Sequence, residues 1–242
     1  MHSTSANQHL LEIVTATAPT TISEVINVMQ SMDGVLPDND GLKWFNLLYL
    51  TVTTEIRDHP PADGWRDALW LTHLDVVFAN FYFAAIATCL GQRMATPSSW
   101  QALLEARYQA GIDRIQFALA GMNAHINHDL SLALLQTNAE LQRMPSPEGP
   151  EHDDFEAING ILEAVLPRAL AFLATGILGA VVQDTGKIGR LLAIWKVRAA
   201  RDLAWDFADH LRPLTGLARD IALRGQDKLT GVLGRGLLLP IQ

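Results

Sequence analysis

The stretch Gln116-Phe-Ala-Leu-Ala-Gly-Met-Asn-Ala-His-Ile-Asn-His-Asp-Leu130 sets five strongly polar side chains inside an otherwise apolar run. Its length and its lack of strand alternation predict a helix, one with few exposed positions. A buried amide, imidazole or carboxylate costs several kcal/mol unless a partner or a metal ion satisfies it. Asn123, His125, Asn127, His128 and Asp129 therefore mark a site or a set of polar links between helices.

Working outward, the chain reads as helices separated by turn signals. Upstream, Thr21 or Ser23 caps a helix ending near Asp33-Gly34. A second runs from Leu42 to Asp58, with Trp44, Phe45, Leu48, Tyr49, Val52 and Ile56 at helical spacing. His59-Pro60-Pro61 breaks that pattern, and a long helix is expected over 63–90, carrying Asp75 and Asn80 among apolar neighbours. Ser98 or Ser99 is expected to cap a short helix with Trp100, and Gly111 and Asp113 to open the central helix, kinked near Asn127.

Downstream, Pro145, Pro147, Gly149 and Pro150 form the strongest linker signal. An acidic helix start at 151–155 suits the positive end of a helix dipole, and a kink is expected at Pro167. Residues 183–189 read as a turn, followed by a helix through Ile194, Trp195 and Trp205 to Leu211. Beyond Pro213 comes a last amphipathic helix. The expectation is an all-α fold, a single compact bundle of seven or eight helices over 1–242, with residues 1–20 a flexible start.

Composition narrows the function classes. The net charge of −8 argues against general nucleic-acid binding, although residues 187–242 hold 10 Lys and Arg against 5 Asp and Glu. Residues 161–182 are the most hydrophobic window, but Glu163, Pro167 and Arg168 interrupt it, so a core helix is expected rather than membrane insertion. Met1 to Pro19 has no basic segment before its apolar run, and Cys89 is the one cysteine, which together suit a cytoplasmic protein. The apolar end of the chain and its basic helices allow a homodimer.

His125 and Asp129 are four residues apart and share a helix face. His152 and Glu156 repeat that spacing on the next helix. Two such pairs on adjacent helices would offer the imidazole and carboxylate donors that a zinc-like divalent ion takes. Asp75, His128 and Asn123 are the further catalytic candidates, and His73 a candidate extra ligand. The alternative is that His125 and Asp129 form a satisfied polar pair while His152 and Glu156 lie in solvent. Arg198 and Arg201, with Asp202, Trp205 and Asp206, read as salt-bridging residues or as binders of an anionic group.

The strings Phe-Asn-x-x-Tyr-Leu-x-Val-Thr (45–53), Leu-Asp-Val-Val-Phe-Ala-Asn (74–80) and Phe-Ala-Leu-Ala-Gly-Met-Asn-Ala-His-Ile-Asn (117–127) resemble an uncharacterised, mostly actinobacterial family of unknown function. The paired His-x-x-x-carboxylate spacing is also similar to that of the all-helical zinc-dependent phospholipase C and P1 nuclease group. That second resemblance implies metal ligation by His125, Asp129, His152 and Glu156. The group's N-terminal Trp ligand and the further His after its first pair have no counterpart in this chain.

Three functions follow as expectations. The first is a metal-dependent hydrolase of a phosphoester or lipid-like small molecule. The second is a metal-free cyclase or isomerase acting on an apolar intermediate of a biosynthetic pathway. The third is a ligand-binding protein without turnover. In each the partner is a small, partly apolar molecule.

Overall fold

The computed structural model describes residues 2–91, 95–174 and 196–240, and among these it contains nine helices and no strand. They are α1 (His2–Thr15), α2 (Ile22–Val35), α3 (Gly41–Asp58), α4 (Ala68–Gly91), α5 (Ser98–Ala106), α6 (114–140), α7 (Pro150–Ala174), α8 (Val197–Leu211) and α9 (Gly216–Leu237). The all-α expectation holds, with one helix more than the higher expected count. The turn expected at 183–189, the upper part of the 161–182 window, and Ile194 and Trp195 lie outside the described residues.

The start of the chain differs from expectation. Instead of a flexible segment, α1 packs on α4 and α2 and buries Leu10 completely. Thr21 caps α2 as expected, with Glu24 reaching back to complete a capping box.

The cap of α5 comes from elsewhere. Neither Ser98 nor Ser99 caps it by its side chain. The Asp227 carboxylate on α9 accepts both backbone amides, at 2.9 Å each. Burial pushes that carboxyl up, but the Ser99 and Ser98 amides hold it below the usual range. An acid 128 residues away thus satisfies the orphan donors of α5.

Helix α6 is the axis of the molecule. Its N-terminal half packs on α3, α5 and α9, and its C-terminal half on α4 and α8. The approach to α3 rests on reciprocal glycine–phenylalanine pairs. A Cβ on Gly121 would lie 2.2 Å from the Phe45 ring, and one on Gly41 would lie 2.3 Å from Phe117. Each glycine is the hole for an aromatic ring of the other helix. Gly121→Ala is expected to lose about 1–3 kcal/mol through overpacking, read as a lower denaturant midpoint with an unchanged slope.

One described helix, α4, is long and apolar enough to cross a membrane. It is apolar on all sides, and Trp70, Leu71, Leu74, Val77, Tyr82 and Ile86 are buried within this molecule. That is the pattern of a helix surrounded by others in a core.

Candidate functional site

Near Asn127, where a kink is expected, α6 contains a π-helical turn, His125–Asp129. Here the Leu130 amide bonds to the His125 carbonyl, a span of five residues. Single π turns of this kind are frequent at functional sites. The turn faces α4, α8 and α9.

The first and last side chains of the turn, His125 and Asp129, are 2 % exposed each and contact one another, Nδ1 to Oδ2, at 2.9 Å. Trp100 of α5 donates its indole N–H to the same Asp129 oxygen at 2.9 Å. The imidazole lies flat on Phe78 of α4, 3.5 Å between ring centroids and 3° between planes, and Tyr49 of α3 meets it edge-on at 4.6 Å.

In this aromatic shell a charge has little solvation. Burial holds the His125 imidazole well below its ordinary range and pushes the Asp129 carboxyl well above its own, against the pull of the Trp100 hydrogen bond. Both shifts favour the neutral pair. In a neutral pair of this geometry a protonated Asp129 donates to Nδ1, and Nε2 carries the imidazole hydrogen. Nε2 is buried and has no hydrogen-bond partner.

His125 also lines a cavity of about 70 Å³, walled by Phe45, Leu48, Tyr49, Phe78, Met122 and other apolar side chains, with Asp75 and Arg201 as its charged members. The volume is about half of the ~150 Å³ that accommodates benzene, enough for a few waters or a small organic group.

Asp75 Oδ2 is buried without a partner. Burial raises its carboxyl to about 7, with Arg201 pulling the other way. Arg201 is itself fixed, donating from Nε to Asn159 at 2.8 Å and from one terminal nitrogen to the Phe155 carbonyl at 2.7 Å. Its guanidinium stacks on the Phe155 ring, and burial lowers it to about 10, so it stays charged at neutral pH.

The raised Asp75 makes stability pH-dependent. Between its ordinary value near 3.8 and its folded value of about 7, the folded protein holds a proton that the unfolded chain has lost. Stability therefore falls as pH rises through that window and levels off above it. Asp75→Asn, which cannot ionise, is expected to match the wild type at pH 4 and to exceed it at pH 8 by about 2–4 kcal/mol. Melting temperatures of both proteins at the two pH values check this.

The other expected site residues are placed elsewhere. His152 meets the Trp205 ring edge-on at 4.7 Å, and Glu156 pairs with Arg198 at 3.0 Å; neither lines the cavity. Among the described residues no three His, Cys, Asp or Glu side chains come together in a way that could hold a metal ion. The four-ligand set of His125, Asp129, His152 and Glu156 is therefore not assembled, because its two halves face different partners.

Asn123 fastens α6 to α9 through the Thr230 carbonyl, 2.9 Å away, and accepts from Asn127. His128 faces the same helix, its Nε2 3.9 Å from Asp227. His73 pairs with Glu140 at 2.6 Å, away from the cavity.

Two partners were not legible as such. Trp100 reads in sequence as an ordinary core residue, and its indole N–H gives no signal of a carboxylate acceptor. Arg201 was visible as a charge beside aromatic residues, but its place opposite Asp75 depends on how α8 packs.

Helices closed around a buried histidine–aspartate pair on a π turn define an all-α protein with an aromatic-walled polar site. The chain belongs to a family of unknown function, DUF5995, whose model matches residues 22–240. No curated protein and no solved structure matches it.

Proposed function

We propose that the protein is a proton-transfer enzyme of the isomerase type, acting on a small, mostly apolar carbonyl compound. One observation carries this reading: Asp75 and His125 line one apolar cavity, and each keeps a buried polar atom without a partner. A carboxyl that ionises at about 7 suits a group that must both take and return a proton at neutral pH.

In the proposed reaction, ionised Asp75 removes a proton from the carbon next to the carbonyl. The C–H electron pair forms the enolate, and its oxygen accepts a hydrogen bond from His125 Nε2. Asp75 then returns the proton to a different carbon of the conjugated system, and the double bond moves. Protons balance and the enzyme regains its starting state. Arg201 keeps Asp75 from rising further, so a useful fraction is ionised at neutral pH. Apolar walls strengthen the N–H to enolate contact by excluding water.

The hydrolase alternative would need a metal-activated water, for which the four expected ligands do not form a donor set. The acid–base reading is therefore the favoured one. A reducing cytoplasm is the compartment that the one, partly buried free thiol of Cys89 suits.

The test is deuterium incorporation from D₂O into a panel of small enones and β,γ-unsaturated ketones, followed by mass spectrometry. The wild type is expected to exchange and isomerise at least one, with a rate that rises through about pH 7 and survives chelation. Asp75→Asn should slow it about 10²–10⁴-fold. Absence of exchange across the panel, an unchanged rate in Asp75→Asn, or loss of the rate on chelation would each overturn the reading.

A further inference from the structure

The outward face of α9 carries a row of exposed aliphatic side chains. Leu217, Ile221, Leu229, Val232 and Leu233 are each between 51 % and 69 % exposed. At 100° per residue, Ile221, Leu229, Val232 and Leu233 fall on one side of the helix, with Gly225 and Gly236 between them; a Cβ at either glycine would meet nothing. The opposite side carries Thr230, Gly231 and Gly234, which are buried. From Leu217 to Leu233 the apolar row is about 24 Å long at the helical rise per residue.

Along one edge of this row the spacing places Arg224, Lys228 and Arg235, the last 3.9 Å from Glu105. Arg219 is a fourth cation on the helix. Asp220 is exposed, whereas Asp227 is engaged in capping α5. The exposed face is therefore aliphatic with a cationic border, in a chain whose net charge is −8.

We infer that α9 lies on an anionic lipid surface, with its aliphatic row in the headgroup boundary and Arg224, Lys228 and Arg235 against lipid phosphates. An exposed amphipathic helix with basic residues bordering its apolar side is the form that binds bilayer interfaces. Each cation near such a surface strengthens binding by roughly fivefold. A second copy of the chain fits less well, since antiparallel two-fold pairing of this face would set the same cationic edge against itself.

Sedimentation of the full chain with phosphatidylcholine vesicles, with and without about 30 % phosphatidylglycerol, tests the inference. Binding is expected on the anionic vesicles, to be at least tenfold weaker on neutral ones, and to fall with added salt. Leu229→Asp with Val232→Asp should abolish it, and Arg224→Glu with Lys228→Glu should weaken it at least tenfold. All four sites are exposed, so melting temperatures should stay near that of the wild type. Equal binding to both vesicle types, no binding to either, or unaltered binding in both double variants would overturn it. So would a stable dimer in light scattering that Leu229→Asp dissociates, because a second copy would then cover the face.

Discussion

Arg107→Ala is expected to be the most destabilising single change outside the site, by about 3–5 kcal/mol. Arg107 is 4 % exposed and Asp40 fully buried. The guanidinium donates from Nε to both Asp40 oxygens, at 2.8 and 3.0 Å, and from a terminal nitrogen to one of them. Asp40 also caps α3 by accepting the Leu42 amide at 3.0 Å. The pair thus ties the loop after α5 to the start of α3, the helix that supplies Phe45 and Tyr49 to the cavity.

Removing the arginine leaves a carboxylate buried without its counter-charge. The expected fall in melting temperature is about 6–20 °C for a domain of this size. Asp40→Asn with Arg107→Leu together should cost much less than Arg107→Ala alone, since no unpaired charge remains. If Arg107→Ala melts within a degree or two of the wild type, the pair is not the anchor described.

His125→Ala is expected to have the largest effect on turnover, a loss of about 10²–10³-fold in the exchange assay, typical of removing a donor to a developing oxyanion. The binding of an unreactive ketone should change far less. Asp129 gives a second comparison. Asp129→Asn cannot do both jobs of that oxygen: the amide oxygen that accepts the Trp100 N–H also accepts from Nδ1, which draws the imidazole hydrogen away from Nε2, so the rate should fall about as far as in His125→Ala. Asp129→Ala leaves the imidazole tautomer unheld and should resemble His125→Ala. A rate in His125→Ala equal to that of the wild type would reduce the pair to a core contact.

Local sequence carried a large part of this architecture. Helices α2 to α6 follow from apolar residues at helical spacing and from punctuation at Asp33-Gly34, His59-Pro60-Pro61, Gly111 and the prolines at 145–150. Those signals are local, because a helix satisfies its own backbone. The five polar residues after Gln116 were also legible as something needing partners, since burial without partners is costly wherever it occurs.

Which partners they find was not legible. His125 and Asp129 meet because residues four apart on one helix are neighbours in any fold. His152 and Glu156 share that spacing, yet their helix turns them toward Trp205 and Arg198. A repeated spacing specifies a face, whereas the rotation of a helix about its axis is chosen by what packs against it. The same holds for Asp227, which caps a helix 128 residues earlier in the chain.

By itself, then, the sequence determined that the protein is all-helical and that its central helix buries a histidine and a carboxylate one turn apart. Only the tertiary structure decided that Trp100 holds that carboxylate, that Asp75 and Arg201 share the cavity with His125, and that the second His–Glu pair lies elsewhere. The physical reason is one of range. Helix periodicity and turn chemistry act over a few residues, while desolvation and charge pairing at the cavity depend on side chains from α3, α4, α6 and α8 that meet only when the core closes.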